Sequence, residues 1–307
     1  MKNGFLGCIA DDFTGATDLA NNLVRTGLRV IQTIGIPEKP LDEEADVVVV
    51  ALKTRTVPAK DAVLQSLAAL AWLRDQGAGQ IYFKYCSTFD STAKGNIGPV
   101  TDALMDALNT DFTIACPAFP ENGRTVFKGY LFVGDELLHE SGMRNHPLTP
   151  MVDSNLVRVM QAQTNQKVGL IDYLTVSKGS EAISNRITAL KSEGVSIAIV
   201  DAISNDDLRK MGPAFASLPL LTAGSGVAIG LKSKGQSQIQ ESNIQENSAA
   251  TLPSVKGFQA IVSGSCSTAT NSQVADFVAR GGEAFPIDPM QLADGVDVVD
   301  NALNWAK

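Results

Sequence analysis

The sequence predicts an α/β protein with a mostly parallel, doubly wound sheet, and three observations support this prediction. Apolar, β-rich runs alternate with helical patterns along much of the chain. The runs are continuously apolar, which is typical of strands that helices cover on both faces. Polar and charged residues follow several runs, at the sheet edge where ligands bind in this class of fold.

Seven runs are predicted to form strands. In chain order they are FLGCIA, DVVVVAL, QIYFKYCS, FTIACPAF, VGLIDYL, SIAIVDA and PLLTA. Helical patterns separate several of them, for example over residues 59–74 and 180–192, and parallel strands need such crossover connections. The segment TVFKGYLFV interrupts this alternation after a turn signal at residues 120–123, and it is predicted to be a hairpin or another excursion from the sheet.

A change in composition divides the chain into three parts. Between Lys232 and Lys256 the sequence is rich in Gln, Ser and Asn, which indicates a linker. We therefore predict a first domain over residues 1–234, a linker over 235–256 and the start of a second α/β domain over 257–307. This last part holds one strand–loop–helix–strand unit and a final helical stretch. One such unit cannot close a doubly wound domain, so the second domain is expected to be incomplete.

Composition and charge exclude several classes of partner. The 307 residues carry a formal net charge of -8, with a pI near 4.9, which disfavours nucleic acid and anionic membrane surfaces. No apolar run reaches the ~18–20 residues of a membrane span and the first residues form no signal peptide, so a cytoplasmic protein is expected. The four cysteines lack CxxC spacing and are predicted to be core thiols, and the two histidines form no metal-binding pattern.

The first candidate site residues follow two of the predicted strands. Asp11 and Asp12 come directly after FLGCIA and before a helix start, so one of them is a candidate to bind substrate hydroxyls or to act as a general base. The alternative is a plain helix cap. Arg55 follows DVVVVAL, and its planar fork suits a carboxylate; the alternative is a surface ion pair.

The run QIYFKYCS leads into a loop that is rich in small polar groups. Two Ser-Thr pairs, an aspartate, a glycine and an asparagine precede the next predicted helix. A capping loop would need one or two such groups, whereas a pocket for a polyol or a sugar acid needs many donors and acceptors. The candidates from this loop are Lys84, Asp90, Ser91, Thr92, Gly95 and Asn96.

Two further segments combine glycine with hydroxyl residues. GSGVAIG at residues 224–230 misses the dinucleotide pattern GxGxxG by one place and is predicted to be a tight strand-to-helix turn. Ser263, Gly264, Ser265 and Ser267 precede a predicted helix, where hydroxyl and N–H groups can hold a phosphate; the alternative is an N-cap. The pattern GxxxxGK[ST] is absent, which excludes an ordinary P-loop kinase.

Taken together, seven segments resemble the four-carbon acid sugar kinase family (DUF1537). They are ADDFTGATDLA, KTRTVP, KYCSTFDSTAKGNIGPV, PAFPENGRTVFKGYLFV, HPLTPMVDSNL, TAGSGVAIGL and IVSGSCSTATNSQV. The resemblance covers essentially the whole chain. The form KYCSTFDST is similar to the branch of the family that acts on 3-oxo-tetronate, since the threonate and erythronate branches tend to have a DSTLRGN-like segment without YCST.

The resemblance implies ATP-dependent phosphorylation of the 4-hydroxyl of a four-carbon sugar acid, with ATP and Mg²⁺ as cofactors. It implies that the first region binds the acid and that the second begins an ATP-binding domain. Asp12 is the first candidate for the group that orients or deprotonates the hydroxyl, and Asp90 is the second, while Asp11, Arg55 and the loop residues bind the acid. The ATP-binding candidates are Ser263, Gly264, Ser265 and Ser267. No metal ligand is assigned.

The resemblance also leaves alternatives open. The family's ATP site includes an AGGET-like segment that this sequence does not contain, so the chain is expected to bind the acid but to be a poor or inactive kinase. D-threonate and D-erythronate are the alternative substrates, and a non-catalytic module that binds a sugar acid is the alternative class. A Rossmann-type oxidoreductase is disfavoured because Gly230 falls one place late in the glycine pattern. The oligomeric state is left open, a homo-oligomer included.

Overall fold

The computed structural model describes residues 4–41, 44–146, 148–231, 254, 256–265 and 267–307. The chain divides into two compact units, Met1–Ile244 and Gln245–Lys307. The predicted linker, residues 235–256, lies outside the described residues except for 254 and 256. Among the helices that the structure describes, none has the length and apolar character that crossing a bilayer requires.

The described part of the first unit is built from eleven strands and seven α-helices. The strands are β1 (Phe5–Ala10), β2 (Val30–Ile34), β3 (Val47–Ala51), β4 (Ala78–Lys84), β5 (Thr113–Cys116), β6 (Arg124–Phe127), β7 (Tyr130–Val133), β8 (Glu136–Leu137), β9 (Val168–Ile171), β10 (Ile197–Val200) and β11 (Leu220–Ala223). The helices are α1 (Phe13–Arg25), α2 (Ala59–Asp75), α3 (Ile97–Ala107), α4 (Leu156–Gln161), α5 (Tyr173–Ser177), α6 (Ser180–Ser192) and α7 (Asn205–Phe215).

Eight strands form one sheet in the order β2-β3-β1-β4-β11-β5-β10-β9, and every neighbouring pair is parallel. The predicted α/β fold is therefore confirmed, and each of the seven predicted runs contributes a strand. The strand β2 was not predicted. It lies at one edge of the sheet and is only partly buried, so its sequence includes the polar residues Gln32 and Thr33.

The core lies on both faces of this sheet. The valines of β3, from Val47 to Val50, are fully buried, which explains why the strand is continuously apolar. Helix α1 buries Ala16, Leu19 and Leu23, which recur at helical spacing and face the sheet. Helices α1 and α2 both pack against β1. The central strands are thus held in place on either side, and their carboxyl ends form a defined edge.

The predicted hairpin is confirmed as β6 and β7, which pair antiparallel and continue into β8. Its turn is formed by Lys128 and Gly129, whose φ values are 52° and 76°. Asp201, just after β10, accepts hydrogen bonds from both of these N–H groups, at 2.6 and 2.8 Å. A bridge between Val126 and Ala202 adds to this attachment. The hairpin is thereby fastened to the carboxyl end of the main sheet.

The second unit differs from its sequence prediction. Its described residues contain α8 (Thr268–Ala279), α9 (Pro289–Ala293) and α10 (Val298–Ala306). The predicted helix is present as α8, but the two strands predicted around it are wrong, since the described residues of this unit contain no strand. A strand exists only when a neighbour accepts and donates its backbone hydrogen bonds, and no described residue supplies that pairing. Phe258, Ile261 and Val262 are accordingly exposed.

Candidate functional site

The candidate site lies at the carboxyl ends of three adjacent strands. β1 pairs with both β3 and β4, so the segments that follow these strands meet at one edge of the sheet. The backbone joins them directly: the Asp11 N–H donates to the Lys84 carbonyl at 3.0 Å, and the Thr54 N–H donates to the Asp11 carbonyl at 2.8 Å. Residues that are distant in sequence are thereby brought together, as the fold class predicts.

The centre of the site is the guanidinium of Arg55, which contacts three carboxylates. Its Nε and Nη2 donate to the two oxygens of Asp11, at 3.0 and 2.7 Å. Nη2 also donates to Asp12 Oδ1 at 2.6 Å, and Nη1 lies 3.8 Å from Asp90 Oδ2. Two of the three carboxylates are well buried, with side-chain exposures of 4% for Asp11 and 8% for Asp90. The guanidinium therefore neutralises charge that would otherwise be costly to bury.

Burial and neighbouring charges shift the pKa values in this cluster in opposite directions. Burial raises the pKa of Asp11, while Arg55 and Lys84 lower it, and the pKa remains above its ordinary value. Burial lowers the pKa of Arg55, but the pairing with Asp11 more than offsets this and leaves the pKa raised. The guanidinium thus stays charged throughout the physiological range.

Asp12 begins helix α1 as its N-cap. Its Oδ1 accepts a hydrogen bond from the Gly15 N–H at 2.9 Å, so the capping alternative is confirmed. The same oxygen also contacts Arg55, which places the carboxylate at the site as well. A Cβ at Gly15 would lie 2.3 Å from Asp12 Oδ1 and 2.8 Å from Lys84 Nζ, so any other residue would displace these two side chains. Lys84 is buried, and its ammonium donates to the Tyr85 carbonyl at 2.7 Å.

Asp90 is held by the loop that follows β4. The Thr88 hydroxyl donates to Asp90 Oδ1 at 2.6 Å. Between these two residues, Phe89 adopts a φ of 52°, a conformation that a bulky side chain rarely takes. The ring of Phe89 is fully buried and packs edge-on against Tyr85, with ring centroids 5.3 Å apart. Packing therefore sustains a strained turn that directs Asp90 to its position, as is common at functional sites.

A cavity of about 180 Å³ opens beside this cluster. Residues 55–59, residues 90–92, residues 94–96, Leu148 and Thr149 line it. The predicted residues Arg55, Asp90, Ser91, Thr92, Gly95 and Asn96 are therefore brought together at the cavity. Asp11, Asp12 and Lys84 are not among its lining residues, although Asp11 and Asp12 both pair with Arg55, which lines it. The volume is below that of a pocket for a drug-sized ligand, which favours a small molecule.

Asn96 joins two walls of this cavity. Its Nδ2 donates to the carbonyls of Thr54 and Arg55, at 2.6 and 3.1 Å. The side-chain nitrogen is thus engaged in the structure, and the oxygen makes no hydrogen bond with the described residues. Sequence reasoning missed Gln163, which lies 72 positions after Ser91 and donates to its hydroxyl oxygen at 2.8 Å. His146, interpreted from the sequence as a structural loop histidine, accepts at Nδ1 from the N–H of the cavity residue Thr149 at 3.0 Å.

The glycine-rich segment after β11 is a tight turn, as predicted. Residues Ser225–Gly230 form a short 3₁₀ helix. A Cβ at Gly226 would lie 2.2 Å from the Ala118 carbonyl oxygen, so the backbone approaches too closely for any other residue. These glycines therefore serve backbone packing, and none of them lines the cavity.

The candidate phosphate segment of the second unit forms an open surface. Ser263, Gly264, Ser265 and Ser267 are exposed, and a Cβ at Gly264 would meet nothing within 4 Å. Ser267 is the N-cap of α8, with its hydroxyl accepting from the Thr270 N–H at 3.2 Å. The N-cap alternative is therefore confirmed, and phosphate binding stays a prediction. Cys266 lies outside the described residues.

Across the described ranges, no group of three or more His, Cys, Asp or Glu side chains could hold a metal ion. The carboxylates of Asp11, Asp12 and Asp90 surround a guanidinium instead. The cysteines in the described residues are free thiols: Cys8 and Cys116 are buried, and Cys86 is partly buried beside Thr88. The predicted core thiols are thus confirmed for Cys8 and Cys116.

Comparisons with known proteins agree on one family. The model of a sugar-binding N-terminal domain matches residues 6–231. A 3-oxo-tetronate kinase of Pseudomonas savastanoi pv. phaseolicola is 56% identical over 304 residues, which cover 98% of this chain and 70% of that protein. The chain thus spans about 70% of the length of this curated relative.

Solved structures are similar as well. A Haemophilus influenzae protein of the family model DUF1537 is 45% identical, with a TM-score of 0.74, over 97% of this chain and 71% of that one. A DUF1537 domain from Bordetella bronchiseptica, solved as a domain-swapped dimer with bound citrate, is 26% identical with a TM-score of 0.63. That match covers 75% of this chain and 56% of the Bordetella chain.

Proposed function

Because the chain belongs to the family of the sugar-binding N-terminal domain, we propose that its first region binds a four-carbon sugar acid for phosphorylation. The reaction is the ATP-dependent transfer of a phosphoryl group to the 4-hydroxyl of 3-oxo-tetronate. Curated relatives that are 56–58% identical over 98% of the chain carry the name 3-oxo-tetronate kinase, which supports this substrate. D-threonate or D-erythronate remains the alternative.

The observation that carries the proposal is the Nη1 group of Arg55 at the cavity, which faces Asp90 Oδ2 at 3.8 Å, beyond hydrogen-bond distance. Nε and Nη2 are taken up by Asp11 and Asp12, whereas Nη1 makes no hydrogen bond with the described residues. Nη1 has two N–H groups, and Arg55 lines the cavity. A substrate carboxylate can accept one of them, since charge-assisted hydrogen bonds to guanidinium are among the strongest in proteins. Lys94, which also lines the cavity, adds a second positive charge.

The acid–base chemistry rests on Asp12 or Asp90. Kinases of this chemistry need a group that orients or deprotonates the attacking hydroxyl, and most of the catalysis is positioning. Asp12 has one oxygen engaged by Gly15 and Arg55, which leaves Oδ2 without a hydrogen bond from the described residues. Asp90 lines the cavity itself and has Oδ2 facing Arg55 at 3.8 Å. Asp12 stays the first candidate and Asp90 the second.

The cofactor part of the proposal concerns the second unit. Ser263, Gly264, Ser265 and Ser267 offer hydroxyl and N–H donors without a carboxylate among them, a donor set that fits a phosphate. Bound ATP supplies the phosphoryl group that is transferred. Mg²⁺ in such sites is held largely by phosphate oxygens and water, with one or two carboxylates, so a cluster of three carboxylates is not required.

We propose the domain organisation that the sequence predicts, together with a cytoplasmic location. Residues 1–234 form the acid-binding domain, 235–256 the linker and 257–307 the start of the ATP-binding domain. A cytoplasmic location is supported by the free thiols of Cys8, Cys86 and Cys116, which persist in reducing compartments. A homo-oligomer is supported by the dimer that the Bordetella bronchiseptica relative forms.

Calorimetry tests the proposal. We expect the 307-residue chain to bind 3-oxo-tetronate without nucleotide and more tightly than D-threonate or D-erythronate. Arg55→Ala should weaken binding by about 1.5–3 kcal/mol, and Arg55→Lys should recover only part of this. Arg158→Ala, which removes an exposed arginine away from the cavity, is the control and should bind like the wild type. Absence of heat with all three acids would contradict the proposal.

A further inference from the structure

Gln163, two positions beyond the end of α4, makes three hydrogen bonds with the loop that lines the cavity. Its Nε2 donates to the Ser91 hydroxyl oxygen at 2.8 Å and to the Thr92 carbonyl at 2.7 Å. Its Oε1 accepts from the Gly98 N–H at 2.9 Å. Both ends of one amide are thus engaged by the stretch from Ser91 to Gly98, which carries the predicted substrate-binding residues.

The backbone determines which way this amide points. The Thr92 carbonyl can only accept a hydrogen bond, and the Gly98 N–H can only donate one. A rotated amide would set oxygen against oxygen and N–H against N–H, so the orientation is fixed without reference to Ser91. Gln163 therefore presents an N–H, and not an oxygen, to the Ser91 hydroxyl.

This arrangement fixes the role of the Ser91 hydroxyl. Because its oxygen accepts from Gln163, its proton must point elsewhere, and no described residue accepts it. Ser91 lines the cavity, with only 3% of its surface exposed. Gly95 packs against it so closely that a Cβ there would lie 1.8 Å from Ser91 Oγ. The serine is thus held in place at the cavity wall, with its hydroxyl proton available to a ligand.

We propose that Gln163 is a positioning residue that makes Ser91 a hydrogen-bond donor, and that Ser91 thereby selects the oxo group of the substrate over a hydroxyl. This inference rests on the proposed function. A carbonyl oxygen is only an acceptor, so a donor satisfies it fully. The hydroxyl of threonate or erythronate can accept from Ser91 but must then place its own proton on a further acceptor, and an unmatched polar group reduces affinity.

The test compares the ratio of dissociation constants for D-threonate and 3-oxo-tetronate, measured by calorimetry on the 307-residue chain. Gln163→Glu keeps an oxygen that can accept from the Gly98 N–H. Its other carboxylate oxygen accepts a hydrogen bond from the Ser91 hydroxyl, so the serine can only act as an acceptor toward the cavity. We expect the preference for the oxo acid to fall by roughly 3–10-fold. Gln166→Glu adds the same charge nearby, at a side chain with no hydrogen bond among the described residues, and should leave the ratio unchanged.

Ser91→Ala provides a second variant that does not depend on how the loop tolerates a glutamate. It should lower the affinity for the oxo acid and reduce the preference by roughly the same factor. An unchanged ratio in both variants overturns the inference, as does an equal loss for both acids, which would show that Ser91 contacts the shared carboxylate. A wild-type chain that binds none of the acids overturns the proposed function itself.

Discussion

Arg55 holds Asp11 in a two-point ion pair, with Nε 3.0 Å from Oδ2 and Nη2 2.7 Å from Oδ1. Arg158 holds Asp153 in the same geometry, at 2.8 and 2.7 Å. The first pair is buried, with side-chain exposures of 19% and 4%, whereas the second is exposed, at 59% and 34%. A comparison of the two pairs therefore separates the effect of burial on stability from the effect of hydrogen-bond geometry.

Removal of the buried arginine should destabilise the fold strongly. Arg55→Ala leaves Asp11 buried without its cation, and breaking a buried pair in this way typically costs about 3–5 kcal/mol. Arg158→Ala breaks a pair of equal geometry in solvent and should change the free energy of unfolding far less than Arg55→Ala does. Urea unfolding of both variants measures the difference. Equal losses would show that burial does not govern the role of Arg55.

Gly95 is expected to control the position of Ser91. In Gly95→Ala the new Cβ would lie 1.8 Å from Ser91 Oγ, so the hydroxyl must rotate away and lose its bond to Gln163. We expect a loss of about 1–3 kcal/mol in the free energy of unfolding, as for other overpacked sites, and weaker binding of the sugar acid.

Gly142→Ala is the matched control for this change. A Cβ at Gly142 would meet nothing within 4 Å, and the residue does not have a positive φ. The free energy of unfolding of this variant should stay within about 0.5 kcal/mol of the wild type, and its binding of the sugar acid should be unchanged. If Gly95→Ala also leaves stability and binding unchanged, the close approach of Gly95 to Ser91 does not influence substrate binding.

The strands and most of the site residues could be predicted because both depend on local sequence. Continuous apolar runs such as that of β3 indicate doubly covered strands, and residues that follow adjacent parallel strands must meet at one edge. Asp11 and Arg55 meet for that reason. Gln163 could not be predicted, because it lies far along the chain from Ser91 and carries no motif. The strands expected in the second unit were wrong because strand pairing, unlike helix formation, depends on partners elsewhere in the chain.

Cys86 should react slowly with alkylating agents in the folded protein. Burial raises its pKa to about 11, and the nearby Asp90 carboxylate adds to the shift. With an ordinary pKa near 8.5, the thiolate fraction at pH 8 would be roughly 200-fold higher. Peptide mapping after iodoacetamide treatment should therefore show slow modification of Cys86 at pH 8, with a rate that rises as the pH approaches 11. The urea-unfolded chain is the control, and equal rates in both states would contradict the prediction.

The choice between Asp12 and Asp90 as the base can be made kinetically. Asp12→Asn keeps an oxygen that can accept from the Gly15 N–H, so the N-cap survives while the ability to take a proton is lost. If Asp12 is the base, kcat should fall by roughly 10²–10⁴ relative to the unsubstituted protein. KM for the sugar acid should change far less, because the loss is confined to the transition state.

Asp90→Asn supplies the comparison within the same site. Thr88 can still donate to an amide oxygen at this position, so the loop geometry should survive, and kcat should fall less than in Asp12→Asn. A kcat within about threefold of the wild type for Asp12→Asn, together with a large loss for Asp90→Asn, would reverse the assignment. Asp12 would then act only as the cap of α1 and as a partner of Arg55, and the carboxylate that lines the cavity would carry the proton.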